Sequence, residues 1–179
     1  ERIATPREST VLPLLAALLA LAPLYGVIRL DPHSVVIDAK SGVSGAGGRA
    51  ALDEAFTFTA VNQNLRAYSA VGHRHTAAIE QELAALAGAA SVEAPQVTFT
   101  PHLLPITRGI YTTCYARTLD PIDPDAIVAR YRDFYRGAPF VLVTGTTPPE
   151  IRHVVGSNEC RIGLAFDPRS GRIIVMAVI

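Results

Sequence analysis

The chain has 179 residues, 49% of them hydrophobic, with 16 basic and 16 acidic side chains and no formal net charge. That length and apolar content give one well-filled core and exclude a disordered chain, and a balanced charge supplies no field toward phosphate backbones or anionic lipid, so neither nucleic acid nor membrane is an expected partner. Cys114 and Cys160 lie far apart with no metal-ligand spacing and cannot make a disulfide framework, which fits a reducing, cytoplasmic compartment.

From Ser9 to Ile28 no residue is charged, and the run approaches the length that spans a bilayer. Pro13, Pro23, abundant Ala and the lack of aromatic and basic anchors at both ends argue instead for a buried helix; a membrane span or a targeting peptide is the alternative. Ser9 or Thr10 can cap such a helix, with Pro13 tolerated in its first turn. Val35 to Ile37 reads as a buried strand that runs into a glycine- and serine-rich loop from Asp38 to Gly48. Glycines there allow positive φ and let backbone N–H groups line a concavity, for which phosphate or another anion is the natural occupant; a flexible connection is the alternative. Lys40, the only lysine in the chain, lies in this loop.

Val61 to Val71 alternates loosely and is expected to be a half-buried strand ending at Gly72. Gly72-His73-Arg74-His75-Thr76 then joins strand to helix, with Thr76 as cap, Ile79, Leu83, Leu86 and Ala87 as the buried stripe, and Gly88 as the stop. Gln96 to Pro101 is strand-like, Pro101 and Pro105 interrupt the chain after it, and Arg108-Gly109 opens a strand from Ile110 to Ala116 in which Cys114 is read as core. Asp123 or Asp125 caps a helix through Ile127, Val128, Tyr131 and Tyr135, closed by Gly137. Phe140 to Val143 is a strand, 144–152 a surface loop, and Arg161 to Phe166, a turn at Asp167 to Gly171, and Arg172 to Ile179 form a closing hairpin. The pattern predicts an α+β fold: a mostly antiparallel sheet with helices on one face, in one domain over residues 1–179.

Ser41 to Gly48, His73 with His75, and Arg108 together suggest an anionic substrate. A histidine of near-neutral pKa serves as general acid or base, while an arginine and backbone N–H groups hold carboxylate or phosphate. Two alternatives stand beside this reading: a solvated basic turn, and a zinc-dependent hydrolase in which His73 and His75 share a metal with His33, His102 or His153. No carboxylate or cysteine joins the pair at a ligand spacing, so no metal is assigned.

Four stretches carry a resemblance: Ser41-Gly42-Val43-Ser44-Gly45-Ala46-Gly47; the histidine motif with Ile79-Glu80-Gln81-Glu82-Leu83; Phe99-Thr100-Pro101-His102-Leu103-Leu104-Pro105-Ile106-Thr107-Arg108-Gly109-Ile110; and Val155-Gly156-Ser157-Asn158. In order and spacing the chain resembles the N-acetyl-gamma-glutamyl-phosphate reductases of arginine biosynthesis, from about Leu18 to Ile179. The resemblance implies the substrate-binding and dimerisation domain of the semialdehyde dehydrogenase group, similar to the catalytic domain of glyceraldehyde phosphate dehydrogenases, pairing as a homo-oligomer through its sheet. The implied reaction reduces an acyl phosphate to an aldehyde with NADPH, a cysteine thiolate displacing phosphate before hydride arrives. It implies His73 as acid/base, His75, Tyr68, Arg108 and Ser41 in substrate binding, Ser44 and Gly45 near NADP, and an N-acetyl-glutamyl phosphate-like ligand.

The family's nucleophile stands in an Asn-Pro-Gly-Cys-Tyr-Pro-Thr motif ahead of a helix like Leu18 to Leu24. Counting back without gaps puts Leu12 at that position, and a gapped match of Ala4 to Glu8 puts Glu8 there; neither can form a thioester. Residues 1–17 are therefore atypical, and neither the family's nucleotide-binding domain nor its closing helix is found in these residues. The expectation is one domain of two, without reductase activity by itself, or else a non-catalytic dimerisation module.

Overall fold

The computed structural model describes residues 12–44 and 57–179. Seven strands form one sheet: β1 (Val35–Ser41), β2 (Arg66–Ala67), β3 (Val97–Leu103), β4 (Ile110–Arg117), β5 (Val141–Gly145), β6 (Cys160–Asp167) and β7 (Arg172–Val178). Their order is β2-β3-β1-β4-β7-β6-β5. β1 runs parallel to β3 and β5 parallel to β6, and the other four neighbouring pairs are antiparallel. The expected α+β fold with a mostly antiparallel sheet is what the chain adopts.

Four α-helices accompany the sheet: α1 (Leu12–Leu21), the short α2 (Phe58–Val61), α3 (Arg74–Ala89) and α4 (Pro124–Phe134). α1 lies against β1, β4 and β7, α3 beside it against β3, and α4 against β5, so the three long helices cover one face. Strand alternation decides which side chains meet them. In β1, Val35, Ile37, Ala39 and Ser41 are buried while Val36, Asp38 and Lys40 between them are half-buried. Ile37 pairs with Cys114, and Cys114 with Val175, an apolar row that continues into Leu164 of β6.

The uncharged N-terminal run ends its helix at Leu21 and turns through a 3₁₀ segment, Ala22–Leu24, toward Gly26 at φ +78°. Ten helical residues measure about 15 Å, half of a hydrocarbon core of about 30 Å. Among the described residues no helix is long and apolar enough to cross a membrane. What holds α1 is the core: the Tyr131 hydroxyl donates to the Ala20 carbonyl at 2.6 Å, and that of Tyr135 to the Leu19 carbonyl at 2.6 Å. Carbonyls at the end of a helix have no intrahelical partner, and Tyr131 of α4 and Tyr135 at its C-cap supply two donors. The proposed caps Ser9 and Thr10 lie outside the described residues.

Three local expectations are corrected. The strand expected over 61–71 shrinks to Arg66–Ala67 behind α2, because Gln63 at φ 55° and Ser69 at φ 45° interrupt the extended backbone and Val71 is 95% exposed. β3 continues through Pro101 to Leu103. The Pro101 carbonyl accepts from the Tyr68 N–H, so the missing donor faces the same side, where the edge strand β2 is only two residues long. Finally, His73 and not Thr76 caps α3, which passes Gly88 and ends at Ala89, before Ser91 at φ 56°.

Candidate functional site

A cleft of ≈ 650 Å³ opens where the C-terminal end of β1 meets the start of β4, the segment 154–160 and α1. Ser41, Gly42, Ser44 and Arg108 line it, facing Ser157 and Asn158 across the opening, with Leu15 and Leu19 of α1 beneath. The glycine-rich loop does not begin as an anion cradle. The N–H groups of Gly42, Val43 and Ser44 donate to the carbonyls of Gly109, Ile106 and Thr107 at 2.9, 3.0 and 3.1 Å. They clasp the segment that carries Arg108, whose side chain stays exposed at the mouth. Gly42 is required by this crossing: a Cβ there would stand 2.9 Å from Arg108 N and from the Thr107 carbonyl. Gly45, the other residue assigned to the cofactor, lies outside the described residues.

The histidines form a second cluster at the start of α3. His73 is the N-cap, and its Nδ1 accepts from the His75 backbone N–H at 3.1 Å. Its ring meets Tyr68, His75 and Phe99 edge to face, with centroids 5.7, 4.8 and 5.2 Å apart. His75 is 8% exposed and neither of its ring nitrogens has a hydrogen-bond partner among the described residues. Burial, with His73 and Arg74 alongside, lowers its pKa to about 4, and burial with Arg74 lowers that of His73. Burial also raises the Tyr68 hydroxyl.

The structure therefore brings Ser41, Ser44 and Arg108 into one cleft and His73, His75 and Tyr68 into a neighbouring cluster that does not line it. Phe99 under His73 lies four residues before Leu103, the partner of Ser41, about 13 Å along the strand. Both thiols are core groups: burial raises the pKa of Cys114, and that of Cys160, at the cleft floor, to about 12. Leu12 opens α1, and Glu8 lies outside the described residues. The zinc alternative finds no ligand set, since among the described residues no three His, Cys, Asp or Glu converge. His33 faces Glu93 at 3.6 Å, and His102 Nδ1 lies 2.9 Å from Asp38 Oδ1 but out of line for a hydrogen bond. Ser157 and Asn158 line the cleft although the sequence pattern assigns them no role beyond their share in the resemblance.

Residues 15–179 match the family model described as semialdehyde dehydrogenase, dimerisation domain. The chain belongs to this family. Over 165 residues, 92% of the chain, it is 49% identical to the N-acetyl-gamma-glutamyl-phosphate reductase of Pelotomaculum thermopropionicum, and 46% identical over 165 residues to that of Moorella thermoacetica. It spans 46% of the length of each, so this dimerisation domain accounts for about half of such relatives. Among solved structures, aspartate semialdehyde dehydrogenase II of Vibrio cholerae complexed with ASA superposes with a TM-score of 0.67 at 18% identity, covering 98% of this chain and 56% of that one. The aspartate semialdehyde dehydrogenase of Francisella tularensis gives 0.65 at 14% identity, covering 94% and 57%. At such identities these two establish the shared fold.

Proposed function

We propose that the chain is the substrate-binding and dimerisation half of an NADP-dependent N-acetyl-gamma-glutamyl-phosphate reductase of arginine biosynthesis, working in the cytoplasm as a homo-oligomer. The observation that carries this is the 49% identity to a protein of that name across the residues that build both the cleft and the histidine cluster. Arg108, exposed at the mouth beside Ser41 and Ser44, is suited to hold the substrate's carboxylate or phosphate. His73 serves as the acid/base, and Tyr68 and His75, packed edge to face against its ring, contact substrate.

When bound, NADPH supplies the hydride. The resemblance assigns Ser44 and Gly45 to the vicinity of that cofactor, and Ser44 lines the cleft. The paired N–H groups of Gly42, Val43 and Ser44 leave no cradle in that stretch for its pyrophosphate, which falls to a second domain. The nucleophilic thiolate also falls outside this chain, since Cys114 and Cys160 are buried thiols. The isolated chain accordingly binds substrate without turning it over.

Pairing uses the sheet face that the helices leave open. Val36, Tyr115, Ile174 and Ala165 form a half-buried row across β1, β4, β7 and β6 on that face. Titration of the purified chain with N-acetylglutamate, followed by calorimetry, tests the site. Binding that Arg108→Ala weakens about tenfold or more is expected, and binding indifferent to that substitution counts against the assignment.

A further inference from the structure

We infer that Asp38, Lys40 and His102 form a patch whose charge is cancelled within one protomer so that a second copy of this chain can cover it. The inference rests on the reading of the open sheet face as the pairing surface, and concerns what allows ions to be buried there. Lys40 lies opposite His102 across β1 and β3 and opposite Tyr111 across β1 and β4. Asp38, two residues earlier, points to the same side, between Lys40 and Val36 of the apolar row. Charged groups therefore sit directly beside the apolar part of the face that the helices leave open.

These groups do not stand out in water as surface ion pairs do. The side chains of Arg29 and Asp120 are 68% and 43% exposed, and those of Arg136 and Asp133 81% and 55%. Lys40, Asp38 and His102 keep 28%, 30% and 20%. Lys40 Nζ folds back to the Asp38 carboxylate at 3.0 Å and donates to the Asp38 carbonyl at 3.4 Å. The other carboxylate oxygen faces His102 Nδ1 at 2.9 Å, and both of these atoms are closed off from solvent. Such a half-dried pair adds little to the stability of a lone chain, because withdrawal from water offsets most of the attraction. Its value appears when a partner removes the remaining water, since no uncompensated ion is then left behind.

The choice of residue agrees with this. Lys40 is the only lysine in the chain, and every other member of the 16 basic residues is arginine. An ammonium is a compact charge on a flexible stem and can fold back along its own strand, whereas a planar guanidinium spreads its donors outward. The occupant is a second copy because the patch is continuous with the apolar row of a dimerisation-domain chain, and an isologous contact buries the same patch twice. Any charge left uncancelled would then be buried twice as well.

Sedimentation over a concentration series tests this on the parent, Tyr115→Glu, Asp38→Asn, Lys40→Met and the Asp38→Asn/Lys40→Met double variant. Tyr115→Glu is expected to be monomeric; if it remains dimeric, the reading of the face and the inference both fail. With Tyr115→Glu monomeric, each single substitution at the patch strands one charge and should weaken pairing about tenfold or more. The double variant removes both charges and should pair within about threefold of the parent. Single variants that pair as tightly as the parent, or a double variant as weak as they are, overturn the inference while leaving the pairing face in place. Circular dichroism checks that each chain compared is folded, and because the two single variants strand opposite charges, one folded single beside the double is enough to decide.

Discussion

His75 is the residue whose burial has the clearest measurable consequence. Its folded-state pKa of about 4 lies below the ordinary value of 6.5, so between those two pH values the unfolded chain binds a proton that the folded chain does not. Stability is therefore full above pH 6.5 and falls as pH drops toward 4, by roughly 2 kcal/mol from this group. Urea unfolding at pH 7 and pH 5 is expected to show that loss in the parent chain and a smaller one in His75→Leu. Because neither ring nitrogen has a partner, His75→Leu should be as stable as the parent at pH 7, or more so. An unchanged pH dependence in the variant would show that other groups carry it. At Gly42 the expectation is opposite in sign. Gly42→Ala drives a methyl into the Arg108 and Thr107 backbone and should cost about 1–3 kcal/mol, read as a lowered melting temperature, while displacing Arg108.

At the scale of elements, the fold is tied by hydroxyls that pattern reading places in the core without a partner. Tyr131 and Tyr135 were legible as the apolar stripe of α4, and its cap as Asp123 or Asp125; contacts to the Asp125 and Ala126 N–H groups make it Asp123. That both tyrosines reach the last carbonyls of α1 was not legible, because more than a hundred residues separate the partners. Tyr131→Phe leaves the buried Ala20 carbonyl without that donor and should lower stability by about 1–2 kcal/mol, more than Tyr135→Phe, whose bond to the Leu19 carbonyl is only partly buried. Equal effects would mean that burial does not govern these bonds. β1, β4 and the closing hairpin could be read because their alternation and β-branching agree with their place in the sheet. The expected strand over 61–71 failed where alternation was loose and two non-glycine residues adopt positive φ, which no local pattern announces. The cap of α3 was misassigned because histidine is an unusual capping residue, and that misassignment concealed the tie between His73 and His75.

The sheet has two faces of different character. Helices close one, while the other carries the row Val36, Tyr115, Ile174, Ala165 flanked by the Asp38, Lys40 and His102 group, where Lys40 Nζ lies 3.0 Å from the Asp38 carboxylate. Sedimentation at micromolar concentration should find a dimer, and Tyr115→Glu, which sets a charge in that row, should shift it to monomer. A variant that remains dimeric would place the interface elsewhere. The site was legible in part. Ser41, Ser44 and Arg108 do converge, whereas Ser157 and Asn158 reach the cleft only through the sheet order, which brings the segment before β6 beside the end of β1.

The proposal that these residues form the working half of a reductase predicts turnover. Its most direct test is a chimera in which residues 15–179 replace the matching segment of the Pelotomaculum thermopropionicum protein, leaving that protein to supply the remainder. The chimera is expected to oxidise NADPH in the presence of N-acetyl-gamma-glutamyl phosphate, with turnover falling about tenfold or more in Arg108→Ala. A folded, dimeric chimera that binds NADPH yet leaves the acyl phosphate unreduced would contradict it.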